Sequence, residues 1–433
     1  MATETYPISM KTGDGETIII YVSSAEDAIT PPVGLFDNIT SVSNKVVKHR
    51  IVNSKKTLRP FGKTDTSTGV LNWTGHITLL SPVPFYGVRF NFVNGDTTVA
   101  VSNAVAAYAL PDSNPTPCVT TAPWVNITAN GVTNINIPAP INGGQPAITQ
   151  SDLMPVKCVK RTDGDGYLIM IRVYFTATGN TVGLRTSGTT DLATDSLDRL
   201  GFQCGYYNGG NAVATPASFV RNSASLGCPV FVELFTSDNV TPTLLVAGDS
   251  IVCGQGGGDA STPTAHQNGT YKQYAKYRGW IPMCGAISGS KSPDFIQQAI
   301  DKYIEPVKPI YAICPPWSIN DDDALVAGVE ARILCNMARW MEKCDSNFTV
   351  PVFLTPAPKN GITQAQETVR RSVVQTVKNF CTTNNVLMID RDSIWTDYTS
   401  ATGGYKAGIY TDDLHPNAAG YTLELALWKT VLG

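Results

Sequence analysis

The pattern of apolar residues changes character near Asp238, and this change constrains the fold more than any other feature of the 433-residue chain. Upstream, segments rich in Val, Ile, Thr and aromatics recur at Glu16–Val22, Lys45–Asn53, Asn72–Leu80, Tyr86–Val93, Tyr167–Thr178 and Pro229–Thr236. Turn clusters separate them, among them Asn94-Gly95-Asp96, Asn142-Gly143-Gly144, Asp163-Gly164-Asp165-Gly166 and Asn208-Gly209-Gly210. Short strands at this spacing, with no long helical pattern between them, predict an all-β sandwich of jelly-roll-like type. Downstream, short apolar strands at Thr243–Ala247, Pro309–Ile313, Val350–Leu354 and Val386–Ile389 alternate with helical patterns. Phe295, Ile296, Ala299, Ile300, Tyr303 and Ile304 recur at helical spacing after Ser292-Pro293, which reads as an N-cap and first turn. Leu325, Val326, Val329, Ile333, Met337, Trp340 and Met341 form a second apolar face, and Thr363–Thr383 and Pro416–Leu432 read as two further helices. Alternating strands and helices predict a three-layer α/β domain around a parallel sheet. The expected division is a small arm over 1–55, a β-sandwich over 56–240 that could bind carbohydrate, and an α/β domain over 241–433. Ser237–Thr243 is the linker.

Composition removes several classes of function. Hydrophobic residues make up 42% of the chain, enough for a globular core, and charged residues only 15% against about 25% in an average soluble chain. The net charge of -3 and the lack of a basic run argue against a nucleic-acid partner. The richest apolar stretch, Val99–Leu110, is interrupted by Ser102 and Asn103 and is far shorter than the ~20 residues of a membrane helix. No secretory leader is read in the first residues, which carry Glu4, Asp14 and Glu16. The 10 cysteines form no CxxC pair, so they read as reduced, small and apolar rather than as metal ligands. Gly254, Gly256, Gly257 and Gly258 follow a strand, but Asp259 stands where a dinucleotide fingerprint needs its last glycine; a flexible rim is the better reading, and no cofactor is expected. Asp163 to Gly166 reads as a turn and Asp321 to Asp323 as a helix N-terminus, since neither has a calcium-loop spacing. Trp73 and Trp124 read as packing residues.

In an open α/β sheet, ligands bind beyond the carboxyl ends of the strands. Gly248-Asp249-Ser250 follows the first such strand, and Gly285-Ala286-Ile287-Ser288-Gly289 follows a candidate strand near Trp280–Met283. Trp317-Ser318-Ile319-Asn320-Asp321 follows the next, and Asp412-Asp413-Leu414-His415-Pro416 precedes the last helix. A hydroxyl, a glycine, an amide and an Asp/His pair on one edge are the inventory of acyl transfer: nucleophile, oxyanion donors, base and orienting carboxylate. Of the 4 histidines, His415 stands apart, with a carboxylate three residues upstream and a proline directly after it. That proline holds His415 extended and can open the final helix at its first position. Asp412 is placed to accept Nδ1–H, leaving Nε2 to take a proton; Asp413 is the alternative partner.

With these four blocks in order, the second half resembles the SGNH hydrolases, also called GDSL esterases. The resemblance runs from Thr243 to the end. It implies a flavodoxin-like α/β fold, Ser250 as nucleophile, His415 as base and Asp412 as its orienting acid. It also implies an oxyanion hole made by the backbone N–H groups of Ser250 and Gly289 and the side-chain amide of Asn320. The chain departs from the pattern at Ser318, where the family usually has glycine two residues before the asparagine. A β-sandwich followed by such a domain resembles carbohydrate esterases that remove acetyl groups from polysaccharides. The low charge and the Gly/Thr/Asn-rich β half also resemble phage tail or tailspike deacetylases, which implies a virion or extracellular location, with a cytoplasmic one as the alternative; such proteins are often trimers. An acetylated polysaccharide is therefore the expected substrate. A lipase or acyl-thioesterase, or a non-catalytic glycan-binding protein on the same scaffold, are the alternatives.

Overall fold

The computed structural model describes residues 71–94, 100–113, 119–139, 147–177, 202–207, 209–215, 230–238, 241–257, 269–287, 289–321 and 325–433, together with the strands Tyr6–Lys11, Thr17–Val22, Lys55–Leu58, Asp65–Ser67, Val182–Arg185 and Val220–Arg221. The chain divides into two compact units, Met1–Ile51 and Val52–Gly433. In the first, Tyr6–Lys11 and Thr17–Val22 pair as an antiparallel hairpin. The expected strand over 45–53 lies outside the described residues.

In the second unit, two antiparallel sheets close on one core. One runs in the order Val220–Arg221, Phe202–Tyr207, Leu71–Ser81, Tyr167–Ala177, Val101–Ala109, Val125–Asn126; the other in the order Ala147–Gln150, Gly87–Asn94, Val230–Phe235, Lys55–Leu58. Ile169, Ile171 and Val173 point into the core from the first sheet, meeting Val88, Phe90, Val232 and Leu234 from the second, as the two-residue repeat of a strand requires. The strand Val101–Ala109 was not expected. Its alanines dilute the β-branched signal, yet Val101, Ala104, Ala106 and Tyr108 all reach the shared core. Trp124 packs under the guanidinium of Arg172, 4.1 Å from its ring centre. The main strands of both sheets pair antiparallel.

The α/β part is a five-stranded parallel sheet in the order Ile281–Cys284, Thr243–Val246, Tyr311–Cys314, Val350–Leu354, Leu387–Ile389. Both faces are covered, which explains why these strands are near-continuous apolar runs. Leu245, Ala312, Cys314 and Phe353 face the helices Ser292–Lys302, Glu330–Asp345 and Gln364–Thr383. Leu244, Val246, Ile313 and Val352 face Thr270–Arg278 and Ala418–Leu432. Phe231 of the sandwich meets Tyr303 edge to face at 6.0 Å, so the two parts share apolar contacts.

Helix boundaries differ from the sequence reading at several ends; Ser292, read as an N-cap, is the first helical residue of Ser292–Lys302, with Lys291 at the cap position. The helix with Trp340 on its inner face is Glu330–Asp345; Leu325 and Val326 precede it, and Leu325 has φ 62°, which no helix accommodates. Ile304 belongs to a separate turn, Ile304–Val307, beyond Tyr303. Pro416 lies outside the final helix, whose cap is Asn417, its side chain accepting from the N–H groups of Ala419 and Gly420. Thr363 caps Gln364–Thr383 with a reciprocal Thr363–Gln366 box. Among the described residues no helix is long and apolar enough to cross a membrane.

Candidate active site

The strand Thr243–Val246 is central to its neighbours, with Ile281–Cys284 on one side and Tyr311–Cys314 on the other. The loops that follow these three strands therefore emerge side by side at one edge. The first carries Ser250. Asp249 caps the short turn Ser250–Cys253, its Oδ1 accepting from the N–H of Ile251 at 3.0 Å, so Ser250 sits at the head of a fixed turn. The Tyr421 hydroxyl lies 2.9 Å from the carbonyl of Ile251 and 2.8 Å from that of Gln255, tying this turn to the final helix.

His415 arrives from the far end of the chain. Thr411 N–H donates to the His415 carbonyl at 2.9 Å, and Tyr410 bridges to Pro416, so the segment closes on itself. The Tyr405 hydroxyl donates to the carbonyl of Leu414 at 2.8 Å, and the Thr411 hydroxyl to that of Gly256 at 2.9 Å. The result is that His415 Nε2 lies 2.9 Å from Ser250 Oγ. Nδ1 lies 2.9 Å from Asp412 Oδ2 and 3.1 Å from Oδ1. With the carboxylate accepting, Nδ1 carries the proton and Nε2 is the acceptor for the serine hydroxyl.

Asp412 Oδ1 also accepts from the N–H groups of Leu414 at 2.8 Å and His415 at 2.7 Å. Partial burial pushes its pKa up, but the bonds from the His415 ring and these two N–H groups outweigh it and hold the carboxyl below its usual value. Of the two aspartates left open by the sequence, Asp412 is the one whose carboxylate contacts the His415 ring. Asp413 is exposed, and its backbone carbonyl accepts from Asn360 N–H at 2.9 Å.

Gly289 lies exposed in the second loop with φ 79°, a conformation suited to glycine. That loop is tied to the nucleophile turn where Ile287 N–H donates to the Gly248 carbonyl at 2.9 Å; Ser288 lies outside the described residues. Asn320, in the third loop, donates from Nδ2 to the carbonyl of Ser290 at 3.2 Å. Gly289 and Asn320 are thus brought onto neighbouring loops.

Several residues of this site have contacts that their sequence readings did not anticipate. Gly256 reads in the sequence as a flexible rim. In the structure, a Cβ on Gly256 would stand 2.4 Å from the Pro416 carbonyl oxygen and 2.9 Å from the Cβ of His415. It is a point of close packing against the histidine. Asp321 reads as the N-terminus of its own helix. Instead its carboxylate accepts from Ser292 N–H at 2.6 Å and pairs with Arg332 at 3.1 Å, fixing the third loop to the start of Ser292–Lys302. The Ser318 hydroxyl, the departure from the family pattern, meets Asp249 Oδ2 at 2.8 Å.

No family model matches the chain, and no curated protein matches it. Among solved structures it is similar to a G-D-S-L family protein from Desulfitobacterium hafniense, at 17% identity and TM-score 0.36, covering 44% of this chain and 99% of that one. It is also similar to a GDSL-like lipase from Bacteroides thetaiotaomicron, at 17% identity and TM-score 0.35, covering 44% and 86%. A mutant of an acetyl-xylooligosaccharide esterase from Geobacillus gives 17% identity and TM-score 0.34, covering 44% and 94%. Part of the chain is similar in structure to GDSL lipolytic proteins.

Proposed function

We propose that this protein is a serine ester hydrolase that removes short acyl groups, acetyl above all, from a polysaccharide. One observation carries the reading: Ser250 Oγ, the His415 ring and the Asp412 carboxylate stand in a chain of contacts of 2.9 Å each. A serine hydroxyl is a weak nucleophile until a base takes its proton. His415 Nε2 is at hydrogen-bond distance to do so. The Ser250 oxygen bonds to the ester carbonyl carbon while its proton passes to His415. Asp412 holds the ring and favours the imidazolium that forms. The carbonyl oxygen becomes an oxyanion, for which the N–H groups of Ser250 and Gly289 and the Asn320 amide are the assigned donors. The carbon–oxygen bond to the alcohol then breaks, and His415 returns the proton to the leaving oxygen. Water repeats the sequence on the acyl-serine and releases the acid.

The polysaccharide substrate is supported by the openness of the edge. Gly289 is exposed, the Asp412 side chain is half exposed, and Tyr410 beside it shows much of its surface to solvent. A bulky alcohol can approach such an edge with only its acyl group entering.

The test is acetate release from a panel of acetylated bacterial and plant polysaccharides, with Ser250→Ala as the control. Release by the wild type and none by the variant is expected. Preference for octanoyl over acetyl p-nitrophenyl esters would move the assignment to a lipase or thioesterase. Glycan binding without turnover of any ester would move it to a non-catalytic protein.

A further inference from the structure

Three loops meet at the hydroxyl of Ser318. The side chain is fully buried. Its Oγ lies 2.8 Å from Asp249 Oδ2, in the turn that carries Ser250, and 3.2 Å from the carbonyl oxygen of Ser290, next to Gly289. The N–H of Asn320 reaches back to the same Oγ at 3.2 Å. Each of these groups belongs to a residue of the proposed machinery or to its immediate neighbour.

A hydroxyl has one proton to give and two lone pairs to receive. The carboxylate is the nearer and stronger acceptor, so the proton goes to Asp249. A lone pair receives the Asn320 N–H. The Ser290 carbonyl is then free to take one hydrogen of the Asn320 side-chain amide, at 3.2 Å. This fixes the amide plane and leaves its second hydrogen as the one able to meet a developing oxyanion. Asp249 is committed on its other side too, with Oδ1 accepting from Ile251 N–H at 3.0 Å. The nucleophile turn and the Asn320 loop are therefore joined directly at one buried oxygen. A glycine at this position would supply none of these contacts.

We propose that Ser318 is a positioning residue, whose hydroxyl locks the Asp249 turn to the loops of Gly289 and Asn320 and thereby aims the Asn320 amide. The proposal deepens the ester-hydrolase reading and rests on it. A shift of about 1 Å in a reacting group can cost on the order of a hundredfold in rate. Ser318→Ala should therefore lower kcat by roughly ten- to a hundredfold, with KM little changed because the loss concerns the transition state.

The experiment uses the full chain and four proteins: wild type, Ser318→Ala, Asn320→Ala and the double variant. Two rates are read, labelling of Ser250 by a fluorophosphonate and turnover of p-nitrophenyl acetate, with thermal melting as the check on folding. If Ser318 acts through Asn320, the double variant is no slower than Asn320→Ala, because the two losses are not additive. A side chain needed only for packing gives additive losses, and that result overturns the proposal. A wild type labelled at Ser250 with Ser318→Ala labelled equally fast overturns the positioning role and leaves the hydrolase reading standing. A wild type that is never labelled sinks both. Ser318→Gly replaces the alanine variant if the latter does not fold; failure of both to fold assigns the residue to folding and rejects the proposal.

Discussion

The Nε2 of His415 lies 2.9 Å from the Oγ of Ser250 across 165 residues of sequence. The Tyr421 hydroxyl against the Ser250 turn and the Thr411 hydroxyl on Gly256 keep the two segments together. Removing the serine oxygen leaves the rest of this frame intact. Ser250→Ala should lose about 10⁴-fold or more in kcat while melting near the wild-type temperature. Mass spectrometry after fluorophosphonate treatment should find the adduct on Ser250 in the wild type and nowhere in the variant.

Asp412 and Asp413 separate cleanly as a pair of variants. Asp412→Asn keeps the volume but presents an amide where Nδ1–H needs an acceptor, so the ring is driven towards the wrong tautomer. A fall in kcat of about 10²- to 10⁴-fold is expected, the lower end reflecting the half-exposed side chain. Asp413→Asn should turn over like the wild type, since its exposed side chain lies away from the His415 contacts and its backbone carbonyl accepts from Asn360 N–H. Steady-state kinetics on p-nitrophenyl acetate reads both; equal losses in the two variants would contradict the pairing.

The depressed pKa of Asp412 has a consequence for stability. A carboxyl held lower in the folded than in the unfolded chain contributes stability that is fully present above its unfolded value, about 3.9. That contribution is lost as pH falls through the lower folded value. Burial opposes the shift, and the bonds from His415 and Leu414 produce it. Urea unfolding of wild type and Asp412→Asn should therefore differ most at and above about pH 5 and converge in stronger acid. A difference that grew on acidification would reverse the sign and refute the assignment.

Gly256→Ala tests the packing behind the histidine. The added methyl would meet the Pro416 carbonyl and the His415 Cβ, at a residue with φ 88°. Strain and overpacking together should cost about 1–3 kcal/mol of stability and displace the ring. We expect slower labelling of Ser250 together with a lowered melting temperature; a variant that melts lower and labels at the wild-type rate would show that the ring holds its place.

This glycine also shows what could be read from the sequence. That Ser250, Asp412 and His415 stand together could be anticipated because they lie in short blocks of the residue types that acyl transfer would need. The close packing at Gly256 could not, because its constraint is a clash with a residue 159 positions away. The alternation of strands and helices gave the parallel sheet, since each strand is buried on both faces. Helix ends were less legible. Leu325 and Val326 continue the apolar spacing of Glu330–Asp345, but the positive φ of Leu325 ends it. Pro416 looked like a first helical residue, whereas the Asn417 side chain caps the helix beyond it. Asp321 keeps a helix start, but that of Ser292–Lys302 rather than its own.

The buried ion cluster around Arg370 allows a test of the fold apart from catalysis. Arg370 donates from Nε to Glu367 at 2.7 Å and from Nη1 to Asp392 at 2.6 Å, and all three side chains are sealed from solvent. Burial alone would push the Asp392 carboxyl up; the guanidinium, with the hydroxyls of Thr396 and Tyr398, holds it below its usual value. Removing the cation takes from the buried Asp392 carboxylate its guanidinium partner and leaves Glu367 paired with Arg371. Breaking a buried pair from one side costs about 3–5 kcal/mol, more than the pair need contribute in net terms. Arg370→Ala should therefore lose about that much in chemical denaturation, whereas Arg370→Ala with Glu367→Gln and Asp392→Asn should recover part of it. The Ser250 labelling rate, measured on the folded fraction, should stay near the wild-type value, since Arg370 contacts neither Ser250 nor the His415 segment in its hydrogen bonds. If the triple variant were no more stable than Arg370→Ala, the cost would lie in the cavity left by the arginine rather than in the unpaired charge.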